Sequence, residues 1–219
     1  MARSSQTRES IALKAFIAQP PMFPRIYLIR HGETEWSLSG KHTSRTDIPL
    51  TPQGEDMARE LGQRLRAIPF ARVLTSPRQR AQRTHELAGL ESEIEIEPDL
   101  TEWDYGDYEG KLSTEIHETR PDWELFRDGC PHGESPVQVS DRADRLIAGL
   151  RVSYGNVALF SHGHFGRVLA SRWIGLPVGA ARHFLFDAAS VSILDYDHAH
   201  LEAPVIALWN AGSGTLARR

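Results

Sequence analysis

Leu28-Ile29-Arg30-His31-Gly32-Glu33-Thr34 is an apolar run that ends abruptly in Arg-His-Gly. Such a run, closed by a glycine turn, reads as a buried strand that delivers two polar side chains at its C-terminal end. In open α/β sheets ligands sit at that end. A second run, Asn156 to Ser161, stops the same way at His162-Gly163-His164. An imidazole beside a fixed guanidinium suits nucleophilic attack on a phosphate. The arginine holds and neutralises the anion while the neutral imidazole attacks phosphorus.

Arg30, His31, Arg80 and His162 form the candidate phosphate-binding set. Each alone is weak, since an arginine at a helix start is ordinarily a solvated surface charge. Together, on separate elements at strand C-termini, they would bind the phosphoryl oxygens and stabilise their transition-state charge. Glu102 is the candidate general acid, because phosphomonoester cleavage produces an alkoxide that needs a proton. Trp36, Trp103 and Tyr105 are expected to offer a substrate apolar faces. Ser76 reads as a helix N-cap before Pro77. No H-E-x-x-H spacing, P-loop or G-x-G-x-x-G occurs, so neither metal nor nucleotide cofactor is expected.

The elements that must position these residues follow from pattern and punctuation. Residues 31–50 read as a long polar loop, a length that is usually functional. Thr51-Pro52 opens a helix as N-cap and N1. Its buried face is expected to be Met57, Leu61, Leu65 and Ile68. Residues 72–76 form a strand ending in Ser-Pro, and a helix follows over 77–87 in which Arg80 and Arg83 share a face. Residues 93–97 alternate Ile and Glu, as an edge strand would. Residues 100–110 are an aromatic, acidic loop; a short helix lies near 113–119, and a second loop spans 128–133. Ser135-Pro136-Val137-Gln138 is a capping box for a helix through Ala143, Leu146 and Leu150. Residues 164–173 are helical, and 191–194 and 205–209 read as strands at the sheet edge. The alternation predicts an α/β protein, a three-layer α/β/α sandwich with a mainly parallel central sheet.

The chain has 219 residues, 40% hydrophobic and 25% charged, which suits one globular domain. Its net charge of −4 argues against nucleic acid or an acidic membrane as partner. Cys130 is the single cysteine, so an intrachain disulfide is excluded and a reducing compartment, the cytoplasm, is expected. No apolar run approaches the ~18 residues of a membrane span. Residues 1–24 carry Arg3, Arg8 and Lys14 against the single acid Glu9, and read as a mobile N-terminal extension. A homodimer through the strand edge at 191–209 is open.

These motifs resemble the histidine phosphatase superfamily, also called phosphoglycerate-mutase-like. LIRHGETEW, with the polar loop and DIPLTPQG, is similar to that family's N-terminal signature. SPRQRAQRT resembles its second arginine motif and FSHGHFGR its second histidine motif. The resemblance runs from about Arg25 to Asn210 and marks 25–219 as the catalytic domain. It implies that His31 is the phosphorylated nucleophile, that Arg30, Arg80 and His162 form the phosphate pocket, and that Glu102 is the proton donor. Ser37, Thr43, Ser44, Tyr105 and His164 would line the substrate pocket. EWDYGDYEG with RDGCPHGES resembles a branch containing bacterial acid phosphatases and fungal sedoheptulose-1,7-bisphosphatase. Ser37 stands where cofactor-dependent mutases carry Asn, and Ser44 where they usually carry Gly. The segment between Glu102 and His162 is short, where mutases carry a long covering insertion; an open site favours water as acceptor. The expected function is therefore hydrolysis of small phosphorylated metabolites, sugar phosphates above all. A bisphosphoglycerate-dependent mutase is the alternative, and an inactive phosphate-binding module the remote one.

Overall fold

The computed structural model describes residues 23–212. In chain order the main elements are β1 (Arg25–Arg30), α1 (Glu35–Ser39), α2 (Pro52–Leu65), β2 (Phe70–Thr75), α3 (Gln79–Ala88) and β3 (Ile94–Ile96). They continue with α4 (Ser113–Thr119), α5 (Leu125–Asp128), α6 (Pro136–Arg151), β4 (Asn156–Ser161), α7 (Gly163–Trp173), β5 (Val191–Tyr196) and β6 (Pro204–Ala211). One six-stranded sheet has the order β3-β2-β4-β1-β5-β6. The first four strands run parallel; β5 lies antiparallel to β1, and β6 antiparallel to β5.

The period-2 alternation of a strand splits β1 between two cores. Ile26 and Leu28 face the layer containing Leu146, Val168 and Trp173 of α6 and α7. Tyr27 and Ile29 face Leu61 and Leu65 of α2 and Ala81 and Ala88 of α3. This is the expected α/β/α sandwich, mainly parallel, with both faces of the central strands covered.

Several local expectations change. The 31–50 stretch is not all loop: Thr34 and Ser37 make a capping box that starts α1, and Gly40 ends it at φ 79°. Serine at N3 took the place of the Glu or Gln that usually signals this box. The inner face of α2 is Gly54, Ala58, Leu61, Gly62 and Leu65, with Met57 only half-buried. Small residues are needed there because a Cβ on Gly62 would stand 2.2 Å from the Ala88 carbonyl oxygen. α3 starts at Gln79 with Arg78 as N-cap, so Ser76 is not the cap. Arg80 and Arg83 part company: Arg80 is fully buried, while Arg83 pairs with Glu55 and Glu86 at the surface. β5 is an interior strand, paired on both sides, and β6 forms the edge. α5 and a 3₁₀ segment over Val178–His183 were not foreseen.

The N-terminal extension falls outside the described residues except for Phe23 and Pro24. Phe23 lies 4.9 Å from the Tyr196 ring, and Pro24 is buried. No helix among the described residues is long and apolar enough to cross a membrane.

Candidate active site

The register of β1 and β4 creates the site. Arg30 lies opposite Ser161, so the next residue on each strand is a histidine. The His31 N–H donates to the Ser161 carbonyl at 3.0 Å, and the imidazole centroids stand 5.2 Å apart. Beyond His31 the chain must turn hard against α2. A Cβ on Gly32 would lie 2.4 Å from the Gly54 carbonyl oxygen, so only glycine fits. The Gly32 N–H is held by Thr84 Oγ1 of α3 at 2.9 Å.

His31 Nδ1 lies 2.7 Å from the Gly32 carbonyl oxygen. A carbonyl only accepts, so Nδ1 carries the hydrogen and Nε2 keeps its lone pair. Burial, then the Arg80 and Arg30 guanidiniums, pushes His31 well below the ordinary imidazole value, with the Gly32 carbonyl pulling the other way. The ring is neutral and its free nitrogen is nucleophilic. His162 is also held well below that value, by burial first and then by Arg80 and His31. Its Nε2 lies 2.8 Å from Ser76 Oγ.

Arg80 reaches the same place from α3. Its Nη atoms donate to the carbonyls of Thr46, Thr43 and Ser44 at 3.1–3.3 Å. Arg30 Nη1 donates to the Phe186 carbonyl at 2.5 Å. Among the described residues, six buried side-chain nitrogens lack a hydrogen-bond partner, and three of these are Arg30 Nε, Arg80 Nε and His162 Nδ1. Buried donors are normally paired. Ser76 Oγ accepts from the Arg78 N–H, so its own hydrogen goes to His162 Nε2 and Nδ1 is the N–H. Three unpaired donors near a neutral imidazole fit a tetrahedral oxyanion. Arg80 and His162 are wholly buried, while Arg30 and His31 line a cavity of about 340 Å³.

Glu102 faces the same cavity from the loop before α4. Its Oε1 accepts from the Trp103 and Phe165 N–H groups at 2.9 and 2.7 Å, and its Oε2 from His164 N–H at 3.0 Å. The latter two belong to the first turn of α7, whose free N–H groups attract a carboxylate. Gly163 gives room for this approach; a Cβ there would lie 3.3 Å from Arg30 Cζ and 3.6 Å from Glu102 Oε2. Behind Glu102, Arg142 donates to the Asp99 and Thr101 carbonyls, each at 2.8 Å. It also grips Glu134 through two hydrogen bonds, and Glu134 accepts from the Asp104 N–H.

Four of the five expected pocket residues line the cavity: Ser37, Thr43, Tyr105 and His164. Ser44 does not. It is buried behind the wall, its N–H bonded to the Glu109 carboxylate and its Oγ to the Glu102 carbonyl, because its carbonyl is committed to Arg80. The aromatic expectation also changes. Trp103 is a core residue whose indole N–H donates to the Glu134 carbonyl, and Trp36 packs on Gly110. Of these three only Tyr105 lines the cavity, and its hydroxyl lies 2.6 Å from His164 Nδ1. Sequence reasoning missed Ser76 as the partner of His162, and missed His42, Arg167 and Asp187 in the lining. A strand-end serine was the one available signal for Ser76. Nothing local marked the others. No group of three or more His, Cys, Asp or Glu among the described residues is placed to hold a metal ion.

A buried neutral imidazole, surrounded by cationic donors and faced by a carboxyl group, can take up a phosphoryl group and pass it on. Comparison with known proteins agrees with this chemistry. The family model described as "Histidine phosphatase superfamily (branch 1)" matches residues 26–211. An acid phosphatase of Mycobacterium tuberculosis is 41% identical over 188 residues, spanning 84% of this chain and 92% of its own length. Sedoheptulose 1,7-bisphosphatase of Saccharomyces cerevisiae is 32% identical, spanning 86% and 93%. The solved structure of a Mycobacterium tuberculosis open reading frame product superposes with a TM-score of 0.80 at 38% identity, covering 87% of this chain and 98% of that one.

Proposed function

The chain belongs to the histidine phosphatase superfamily, branch 1, and from that premise we propose that it hydrolyses small phosphorylated metabolites, sugar phosphates among them, through a phosphohistidine at His31. The free Nε2 of His31 attacks phosphorus, and the bond from phosphorus to the ester oxygen breaks. Glu102 in its protonated form gives its proton to the departing alcohol; Oε2, with a single N–H donor, has the capacity to hold it. Glu102 then takes a proton from water, the water oxygen attacks phosphorus, and the P–N bond breaks to release phosphate. Arg30, Arg80 and His162 hold the transferring oxygens throughout. Ser37, Thr43, Tyr105 and His164 surround the leaving group.

The observation that carries this reading is the tautomer of His31, fixed by the Gly32 carbonyl amid three unpaired donors. The experiment is His31→Ala assayed on an aryl phosphate. Activity is expected to fall by about three orders of magnitude or more. The wild type should also yield an alkali-stable, acid-labile phosphoryl-enzyme that the variant lacks. Retention of more than a few per cent of activity rules out the covalent route. Conversion of 3-phosphoglycerate to 2-phosphoglycerate on adding bisphosphoglycerate would favour a mutase instead.

We place the enzyme in the cytoplasm, a reading supported by the single cysteine, which allows no intrachain disulfide. The outer edge of β6, unpaired among the described residues, is where a second copy could pair.

A further inference from the structure

His42 is buried and faces the cavity, yet the reaction above does not use it. Its backbone is locked in place: its N–H donates to the Lys111 carbonyl at 3.0 Å, and its carbonyl accepts from Gly110 at 2.8 Å. Its ring stands edge-on to Tyr105 at 4.7 Å and to Trp123 at 5.7 Å. It lies nearly parallel to His164, with centroids 6.0 Å apart and planes 17° apart. Two rigid imidazoles therefore present their edges side by side in one wall.

Their hydrogen positions follow from their partners. His42 Nδ1 lies 2.8 Å from the Lys111 carbonyl oxygen, which only accepts. Nδ1 is therefore the N–H, and Nε2 is a bare acceptor. His164 Nδ1 meets the Tyr105 hydroxyl at 2.6 Å. A phenol is a good donor and an imidazole lone pair a good acceptor, so Tyr105 donates and His164 carries its hydrogen on Nε2. Neither Nε2 atom has a protein hydrogen bond, and neither is closed off from the cavity. Burial keeps both rings neutral: His42 is lowered by desolvation, and His164 well below its ordinary value by desolvation and then Arg167. Neutral rings bring no positive charge to an anion, so their use lies in the hydrogen bonds they make. What remains is one acceptor and one donor, on rings whose centroids are 6.0 Å apart, in the cavity that Glu102 also lines and where it would serve the ester oxygen. A hydroxyl both donates and accepts, and two hydroxyls on neighbouring carbons of a leaving alcohol match such a pair.

We propose that His42 and His164 form an acceptor–donor pair that reads hydroxyl groups on the leaving alcohol, so that the site selects polyhydroxylated phosphate esters over plain alkyl esters of the same length. The proposal rests on the phosphatase reading and adds the specificity to it.

The test compares glycerol 1-phosphate with n-propyl phosphate, esters of equal carbon length that differ in two hydroxyls. The wild type is expected to favour glycerol 1-phosphate in kcat/KM by at least about tenfold, because polar groups built for a hydroxyl are left unpaired by the analogue lacking it. His42→Phe keeps the ring's volume and removes the acceptor, and should bring the ratio to within about twofold of one. His42→Gln, which returns an acceptor near the Nε2 position, should restore most of the preference. A wild-type ratio near one overturns the proposal whether or not any variant folds. A His42→Phe variant that slows both esters equally overturns it as well, because that is the mark of a scaffold residue. If no ester is hydrolysed, an aryl phosphate included, the phosphatase reading itself fails and the specificity falls with it.

Discussion

In the proposed reaction Glu102 moves a proton, and the value of that proton depends on the alcohol that leaves. An alkoxide of high pKa needs protonation in the transition state; a nitrophenolate hardly does. Glu102→Gln preserves size and the ability to accept N–H bonds but cannot deliver a proton. The expected loss in kcat is about 10²–10⁴-fold on a sugar or alkyl phosphate. On p-nitrophenyl phosphate the loss in phosphoryl-enzyme formation should be markedly smaller, which rapid-quench kinetics would show. Equal losses on both esters would assign Glu102 a positioning role. His31 is governed by a different residue-scale fact, the one short contact to the Gly32 carbonyl that decides which nitrogen is free.

The elements matter because each delivers one group to one point, and interlocked loops keep them there. The loops over 101–110 and 128–135 meet backbone to backbone at two glycines. Gly106 sits at φ 51°, and a Cβ on it would lie 2.1 Å from the Pro131 carbonyl oxygen. A Cβ on Gly133 would lie 2.2 Å from the Asp104 carbonyl oxygen. Gly106→Ala is expected to destabilise the protein by about 1–3 kcal/mol, from overpacking and left-handed strain together. Activity should fall with it, because the same loop carries Glu102 and Tyr105. Gly149, exposed on α6 with open space around its Cβ position, is the control. Gly149→Ala should stabilise by up to about 1 kcal/mol. Thermal unfolding of the two variants should move in opposite directions.

At the scale of the whole molecule, a chain of net charge −4 builds its candidate anion site by concentrating cations locally. Arg30, Arg80 and Arg142 are drawn into one region with His31, His162 and His164, all three of which burial holds well below 6.5. The unfolded chain protonates these imidazoles at the ordinary value; the folded chain does so only at lower pH. Protonation therefore favours unfolding as pH falls below about 6.5, and these groups add no pH dependence above it. Each contributes a slope of about 1.4 kcal/mol per pH unit within that window. Melting temperature should drop between pH 7 and pH 5 and be partly restored by inorganic phosphate, which binds the folded state. A melting temperature unaffected by phosphate would show that the unpaired donors do not receive an anion.

The sequence by itself determined the fold class, the strand ends and the candidate site residues that stand beside them, because these rest on local rules. Apolar runs punctuated by glycine mark strand termini, Thr51-Pro52 and Ser135-Pro136 mark helix starts, and Arg30, His31, Arg80, Glu102 and His162 sit beside that punctuation. It could not determine what non-local packing sets. Only the β1–β4 register brought His31 within 5.2 Å of His162. Only the pairing of β5 with β1 made it an interior strand. Ser44 turned inward because Arg80 required its carbonyl, and Trp103 joined the core because Glu134 offered its indole a partner. A side chain's facing depends on which distant group meets its polar atoms, and that information is absent from the residues on either side of it. His42 is the clearest case: its neighbours in sequence are unremarkable, and its place in the cavity wall comes from Lys111, Tyr105 and His164.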